Sequence, residues 1–417
     1  MGFLRGIIVW LKPNEELREN FFPKYFIYLY VLFVAGIFFL PTKLFRNFFN
    51  FFVIVPFLLT FNLRDIKKII KSKLLVLVMV YCGYMLLTLS WSGGVDGGDS
   101  LDVLRKTLLV MVYLTITVCL FEMNREYVNI LYRGICLSAG VSAVFHMALF
   151  YYYSGFSGRL SAFGALKNPI MAASCYSVAV LVIFFSYLVQ KDISLPRKVK
   201  YILAMIISVG FVVLTQSRGP LLALALALIL CSALVRPKYA LWVIGGFVIP
   251  LTAIYANGLV DFSALFARAD SYRLTIWKQS WDLFVRHPWG GYGFRGERPD
   301  IVITDSIAAS HSHNLFLSTM LDGGVVALVL LVAVIGLATY WALRNYRERG
   351  DVTLLALIAF AVLGNLTDGK TPIVSPNYQW LCFWLPIGLA AAYELASSQQ
   401  KLPGPGTDAQ VSNRILA

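Results

Sequence analysis

The stretch ASHSHNLFLST at 309–319 holds two of the chain's four histidines, His311 and His313, with Asn314 directly after them. A neutral imidazole keeps one nitrogen lone pair, so it accepts a proton from a hydroxyl that is about to act as a nucleophile. His313 and Asn314 stand at the entrance to an apolar helix, which puts such a base at a membrane surface. As a metal site the pair is poor. Residues two apart point to different faces of a helix, and two ligands without a third convergent carboxylate or histidine hold an ion weakly.

Three arginines form the second group: Arg159 in GFSGRLSAFGALKNP, Arg218 in TQSRGP, and Arg273 at the head of RLTIWKQSW. A guanidinium fork matches phosphate oxygens and does not lose its charge. Nearby helix N-termini add free amides that also favour anions. Any one outer arginine is more often a headgroup partner or an Asp partner. Gathered beside a base, the three read as a clamp for a phosphate or diphosphate. Lys167 and Lys370 are secondary cations of the same outer loops, and Asp368 stands beside Lys370.

The elements that must position these residues are membrane helices. The chain has 417 residues, 59% of them hydrophobic and 14% charged, and its mean hydropathy is +0.71. A soluble surface needs more charge than that. Apolar runs near bilayer length occur at 24–41, 45–62, 74–90, 106–121, 131–153, 169–189, 199–215, 219–235, 239–256, 323–342, 352–368 and 379–395. The expected fold is therefore an all-α polytopic membrane protein of about twelve transmembrane helices, with residues 1–396 as one integral domain.

The clusters RDIKKIIKSK, PRKVK and RNYRER fall on one side, so both termini are expected in the cytoplasm, N-in and C-in. The net charge of +14 then reflects topology and anionic headgroups. A nucleic-acid partner is not expected, because no basic groove with stacked aromatics is visible. All six cysteines lie inside expected spans, which points to buried thiols with no disulfide framework. The first span reads as a retained anchor, preceded by a short interfacial helix that Pro13 ends. Residues 397–417 read as a disordered cytoplasmic tail.

One connection, 257–322, is far longer than the rest and lies on the outer, periplasm-like side. Within it Leu274, Trp277, Trp281 and Phe284 or Val285 recur at helical spacing. Asp270 or Ser271 is placed to cap that helix, and His287-Pro288 followed by Gly-Gly stops it. It is expected at the outer interface, as a lid over the bundle. His146, inside a span, reads as structural.

The order of SRGP at 217–220, R-x3-W-x3-W from Arg273, HPWGGYGF at 287–294 and HSHNLFLSTMLDGGVV at 311–326 resembles the bacterial O-antigen ligase family. That family is related to O-antigen polymerases and some protein O-oligosaccharyltransferases. Its ligase motif falls on His313, Asn314 and Gly324, while position 327, where the family has a further glycine, is Ala.

The resemblance implies a GT-C type glycosyltransferase in the bacterial inner membrane, with its active site facing the periplasm. It would move O-antigen polysaccharide from undecaprenyl diphosphate to a sugar hydroxyl of the lipid A core, with inversion. No metal, nucleotide or other cofactor is implied, and the short first outer loop LPTKLFR agrees, because it lacks acidic residues. Under this reading His313 is the general base and Arg159, Arg218 and Arg273 hold the diphosphate. Asn314 and His311 orient, and Lys167 and Lys370 are secondary. The nearest alternative is an O-antigen polymerase, which differs in its acceptor. Outside the class, a flippase or transporter of lipid-linked sugar would have no need of His313.

Overall fold

The computed structural model describes residues 25–60, 67, 69–124, 126–155, 157–189, 193–256, 272–304, 307–309 and 311–399. The expected interfacial helix before Pro13, the candidate caps Asp270 and Ser271, and the tail from 400 onward lie outside the described residues.

The first helices are α1 (Ile27–Gly36), α2 (Thr42–Thr60), α3 (Lys73–Trp91), α4 (Gly97–Met123), α5 (Glu126–Ser154) and α6 (Pro169–Val189). There follow α7 (Leu195–Leu214), α8 (Arg218–Val235), α9 (Pro237–Ala256) and α10 (Arg273–Arg286). A two-stranded hairpin, β1 (Ile301–Thr304) and β2 (Ile307–Ala309), precedes α11 (Leu315–Arg349), α12 (Thr353–Thr367) and α13 (Trp380–Ser398).

Local chemistry sets where these helices start. Asp96 accepts from the Asp99 amide at 2.7 Å to begin α4, and Asn168 accepts from the Ile170 amide at 2.8 Å ahead of Pro169 to begin α6. At the opposite end of the bundle from the histidines, buried Glu394 of α13 accepts from Ser72 Oγ at 2.6 Å. It also accepts from the Lys73 and Leu74 amides, so one carboxylate covers the free amides that begin α3.

Among the described residues eight helices are long and apolar enough to cross a membrane, α2 to α6, α8, α11 and α13, against the twelve expected. The expected run 24–41 gives only the 10-residue α1, because the chain turns after Gly36 and restarts beyond Pro41. The run 352–368 gives the 15-residue α12. α7 opens on Arg197, Lys198 and Lys200, which shorten its apolar part. α9 has 20 residues, but its side chains beyond 246 lie outside the described set. The coarse expectation of a helical, multi-pass membrane protein stands.

α6 and α13 are the innermost spans, with 83% and 89% of their apolar windows buried. α13 packs on α4, α8 on α12, and α11 on both α3 and α12. All six cysteines are buried free thiols. Beneath the loop that joins α12 to α13, Trp380 meets Tyr113 and Phe49 with ring centroids 4.6 and 4.7 Å apart. The indole N–H groups of Trp380 and Trp384 donate up into that loop, to Val374 O at 3.0 Å and Pro372 O at 2.7 Å. The aromatic core thus fixes the loop that carries Asp368 and Lys370.

The long loop departs from expectation in two ways. It contains an antiparallel strand pair, with Ile301 opposite Ala309 and Val302 opposite Ala308, where only helix was expected. The face of α10 that turns inward is also different, being formed by Ile276, Ser280, Leu283 and Phe284, whereas Leu274 and Trp281 are 78% and 51% exposed. The helix has two apolar stripes. The inner one meets Ile301 of β1 and Met320 and Leu321 of α11 and so closes a second hydrophobic cluster.

Candidate active site

α11 is interrupted. Gly323 and Gly324 have non-helical backbones, φ −143° and φ +66°, so residues 315–322 form a short limb distinct from 325–349. The turn after α10 fills the gap: the Tyr292 amide donates to Leu321 O at 2.8 Å and the Val325 amide to Pro288 O at 2.8 Å. A Cβ on Gly324 would run into the Trp289 carbonyl oxygen, in a left-handed conformation that L side chains avoid. The HPWGG and DGG sequences are therefore two halves of one backbone lock.

Tyr84 donates to Gly323 O at 2.9 Å, and Trp91 Nε1 donates to Gly290 O at 3.2 Å. Arg298 pairs with buried Asp322 at 2.9 Å, pinning the chain ahead of the hairpin to the short limb. These contacts hold the short limb of α11 against α3 and the long loop.

The histidine turn sits on that limb. Asn314 caps it, its Oδ1 accepting from the Phe316 and Leu317 amides at 2.9 and 3.1 Å. Ser312 Oγ donates to Asn314 O at 2.9 Å and lies 2.7 Å from Ser318 Oγ. His313 adopts φ +49°, a left-handed turn. Its Nδ1 lies 3.0 Å from Asp368 Oδ1, at the end of α12. The His311 ring lies against it, with centroids 3.9 Å apart. Asn314 spends its amide oxygen on the cap, and the group on the His313 ring is Asp368.

The arginines gather around the turn 215–219. Arg159 donates from Nε to Thr215 O at 3.0 Å and from Nη2 to Ser217 Oγ at 3.1 Å. Arg218 is the first residue of α8 and is exposed. Half-buried Arg273 reaches the same helix start, its Nη1 lying 3.7 Å from where a Cβ on Gly219 would stand. Burial lowers the Arg273 pKa from its ordinary value, and the Asp368 carboxylate opposes that shift. Arg273, Asp368, His313 and His311 thus follow one another across the ends of α10, α12 and α11, and Arg273 reaches the turn 215–219 that Arg159 holds and that contains Arg218.

Electrostatics within the cluster follow from this packing. Burial, then His313 and Lys370, push His311 down to about 4, with Asp368 opposing. At neutral pH that ring is uncharged. Lys370 is exposed above it. Lys167 stands exposed ahead of the Asn168 cap, and no hydrogen bond or ion pair among the described residues ties it to the cluster. His287 ends α10 and lies 4.5 Å from the Tyr292 ring. His146 is held by Ser142 O at 2.7 Å and accepts from the Phe163 amide at 3.0 Å, which anchors the loop bearing Arg159.

Sequence reasoning assigns Asp368 no role. The available signal is that it is the one acidic residue of TDGKTPIVSPN. The structure also supplies the third ligand that the metal argument lacks: one donor atom each from His311, His313 and Asp368 all lie within 4.8 Å of one another. Asp322 lies inside the HSHNLFLSTMLDGGVV stretch, but nothing in the sequence pairs it with Arg298, 24 residues earlier.

Residues 203–332 match the family model described as O-Antigen ligase. An O-antigen ligase of Pseudomonas aeruginosa is 26% identical over 335 residues, covering 79% of this chain and 80% of that protein. The matched segment contains Arg218, Arg273, the backbone lock and the histidine turn.

Proposed function

From the premise that the chain belongs to the O-antigen ligase family, we propose that it joins a lipid-linked O-antigen polysaccharide to a sugar hydroxyl of the lipid A core. The donor in this reading is undecaprenyl diphosphate-linked, and the reaction takes place at the periplasmic face of the inner membrane. The observation that carries the proposal is the His313 to Asp368 pair beside an arginine cluster at a helix start.

The chemistry needs two things at once, a base for the incoming hydroxyl and a counter-charge for the departing diphosphate. With Nδ1–H donated to Asp368, Nε2 of His313 keeps its lone pair and takes the hydroxyl proton. The acceptor oxygen forms its bond to the anomeric carbon from one face while the bond from that carbon to the diphosphate oxygen breaks on the other. The leaving diphosphate carries away the electron pair. Arg218 and Arg273, with the α8 amides, stabilise the charge that builds on it. Arg159 spends two donors on Thr215 and Ser217, so its part is to hold the turn that presents Arg218. Neutral His311 packs the His313 ring without adding a competing cation.

The test is in vitro transfer by the purified protein in nanodiscs with EDTA present, comparing wild type with His313→Ala. Glycan on the core from wild type, with a loss of about 10²- to 10⁴-fold in the variant, is the expected result. Lengthened lipid-linked glycan with nothing on the core would instead make the chain a polymerase. No product on either acceptor would return the chain to the flippase reading. Arg218→Ala and Arg273→Ala are expected to weaken donor binding as well as turnover; unchanged donor affinity in both would remove the diphosphate clamp.

A further inference from the structure

The histidine turn has a second property that proton transfer does not use. His311, His313 and Asp368 offer two imidazoles and a carboxylate whose donor atoms lie within 4.8 Å of one another. The His313 and Asp368 donors are already 3.0 Å apart, close to the spacing of two ligands on one zinc ion. Three protein ligands with an open fourth position is the arrangement by which proteins bind catalytic or exchangeable zinc.

Building on the general-base reading above, we propose that His311, His313 and Asp368 form an inhibitory site for a nitrogen-seeking divalent cation such as Zn2+, and that its occupancy switches the transfer off.

The argument rests on where the lone pairs are. A neutral imidazole has one lone pair, and a His313 ring that gives it to a metal has none left for a hydroxyl. The ion also draws Asp368 away from the ring, so the orienting bond is lost with the base. Ligand type sets the selectivity. Mg2+ and Ca2+ require many oxygen donors, and this site offers one carboxylate, so they are not held. Zn2+ favours imidazole, and its affinity must overcome the charge of Lys370, which acts on His311, and of Arg273, which acts on Asp368. The bound ion is therefore exchangeable, as suits an inhibitor.

The test uses the full-length protein in nanodiscs and Co2+ as a spectroscopic stand-in for Zn2+. Wild type is expected to give a saturable visible d–d absorption band that Zn2+ removes. The band should weaken by more than about 100-fold in apparent affinity in His311→Ala, His313→Ala and Asp368→Ala, and remain in His287→Ala. His311→Gln and Asp368→Asn serve where an alanine variant does not fold. No band in wild type, or a band indifferent to all three ligand substitutions, overturns the site. In the transfer assay Zn2+ should inhibit, EDTA should restore, and Mg2+ should have no effect. Cobalt bound by the three ligands together with transfer that zinc leaves untouched overturns the inhibition. The titration needs no transfer, so failure of the site and failure of the ligase reading are told apart.

Discussion

Asp368 Oδ1 and His313 Nδ1 stand 3.0 Å apart although 55 residues separate them in the chain. One closes α12 and the other opens the short limb of α11, so the pair exists only when those two helix ends meet. An imidazole held at Nδ1 by a carboxylate has its tautomer chosen for it, and the opposite nitrogen is left as the acceptor.

Asp368→Asn keeps the size of the side chain and removes the charge that selects the tautomer. Turnover is expected to fall by about 10²- to 10⁴-fold with the acceptor KM little changed, as for a positioning carboxylate elsewhere. Asp368→Glu should recover part of the loss. Steady-state transfer kinetics decide it: a rise in KM with normal kcat would make Asp368 a binding residue instead.

The backbone lock makes an opposite pair of glycine predictions. Gly324→Ala forces a side chain into a left-handed residue and against the Trp289 carbonyl. The conformational cost alone is about 1–2 kcal/mol. Gly336, in the long limb, has open space within 4 Å of where its Cβ would stand, so Gly336→Ala should gain about 0.5–1 kcal/mol. Thermal melts in detergent should therefore move in opposite directions for the two variants.

Arg298→Ala strands the Asp322 carboxylate, whose side chain is only 8% exposed. The expected cost is about 3–5 kcal/mol. Replacing both residues with leucine should recover much of that, because no unpaired charge then remains. Equilibrium unfolding of the two single variants and the double variant tests this, and simple additivity would show that the pair does not act as a unit.

His311 sets an acid limb on stability. Its pKa moves from the ordinary 6.5 down to about 4 in the folded protein. Between those values the unfolded chain binds more protons than the folded one, so stability is full above 6.5 and declines as pH falls toward 4. His311→Gln cannot titrate and should flatten that decline. Melting temperatures of the two proteins, followed across the window, should diverge at its lower end from a constant offset.

Much of the molecule is legible in order but not in space. Apolar runs announce helices wherever the chain crosses or nearly crosses the bundle, and the spacing of Arg218, Arg273, His313 and Gly324 announces one family's motif. Run length alone does not reveal that the chain turns after Gly36, or that cations shorten α7. The inner face of α10 is ambiguous because both of its stripes are apolar, and only the position of Met320 and Leu321 chooses between them. Asp368 is hidden as His313's partner because a pairing across 55 residues leaves no local period to read. The cap at Asn314 is not legible from its residue type, because a capping residue and a catalytic neighbour look alike in a sequence; the amides of Phe316 and Leu317 show it.

The interruption at Gly323 and Gly324 also bears on how the protein meets bilayers of different thickness. A long transmembrane rod answers a thicker or thinner membrane by tilting, and everything rigidly fixed to its end swings with it. Here the long limb, 325–349, stops at the two glycines, while the histidine turn is fastened through Asp322, Tyr84 and the Trp289 turn to neighbouring elements. The direction of the short limb, and with it the position of the histidine turn, is therefore set by these ties and not by continuation of the long limb's axis.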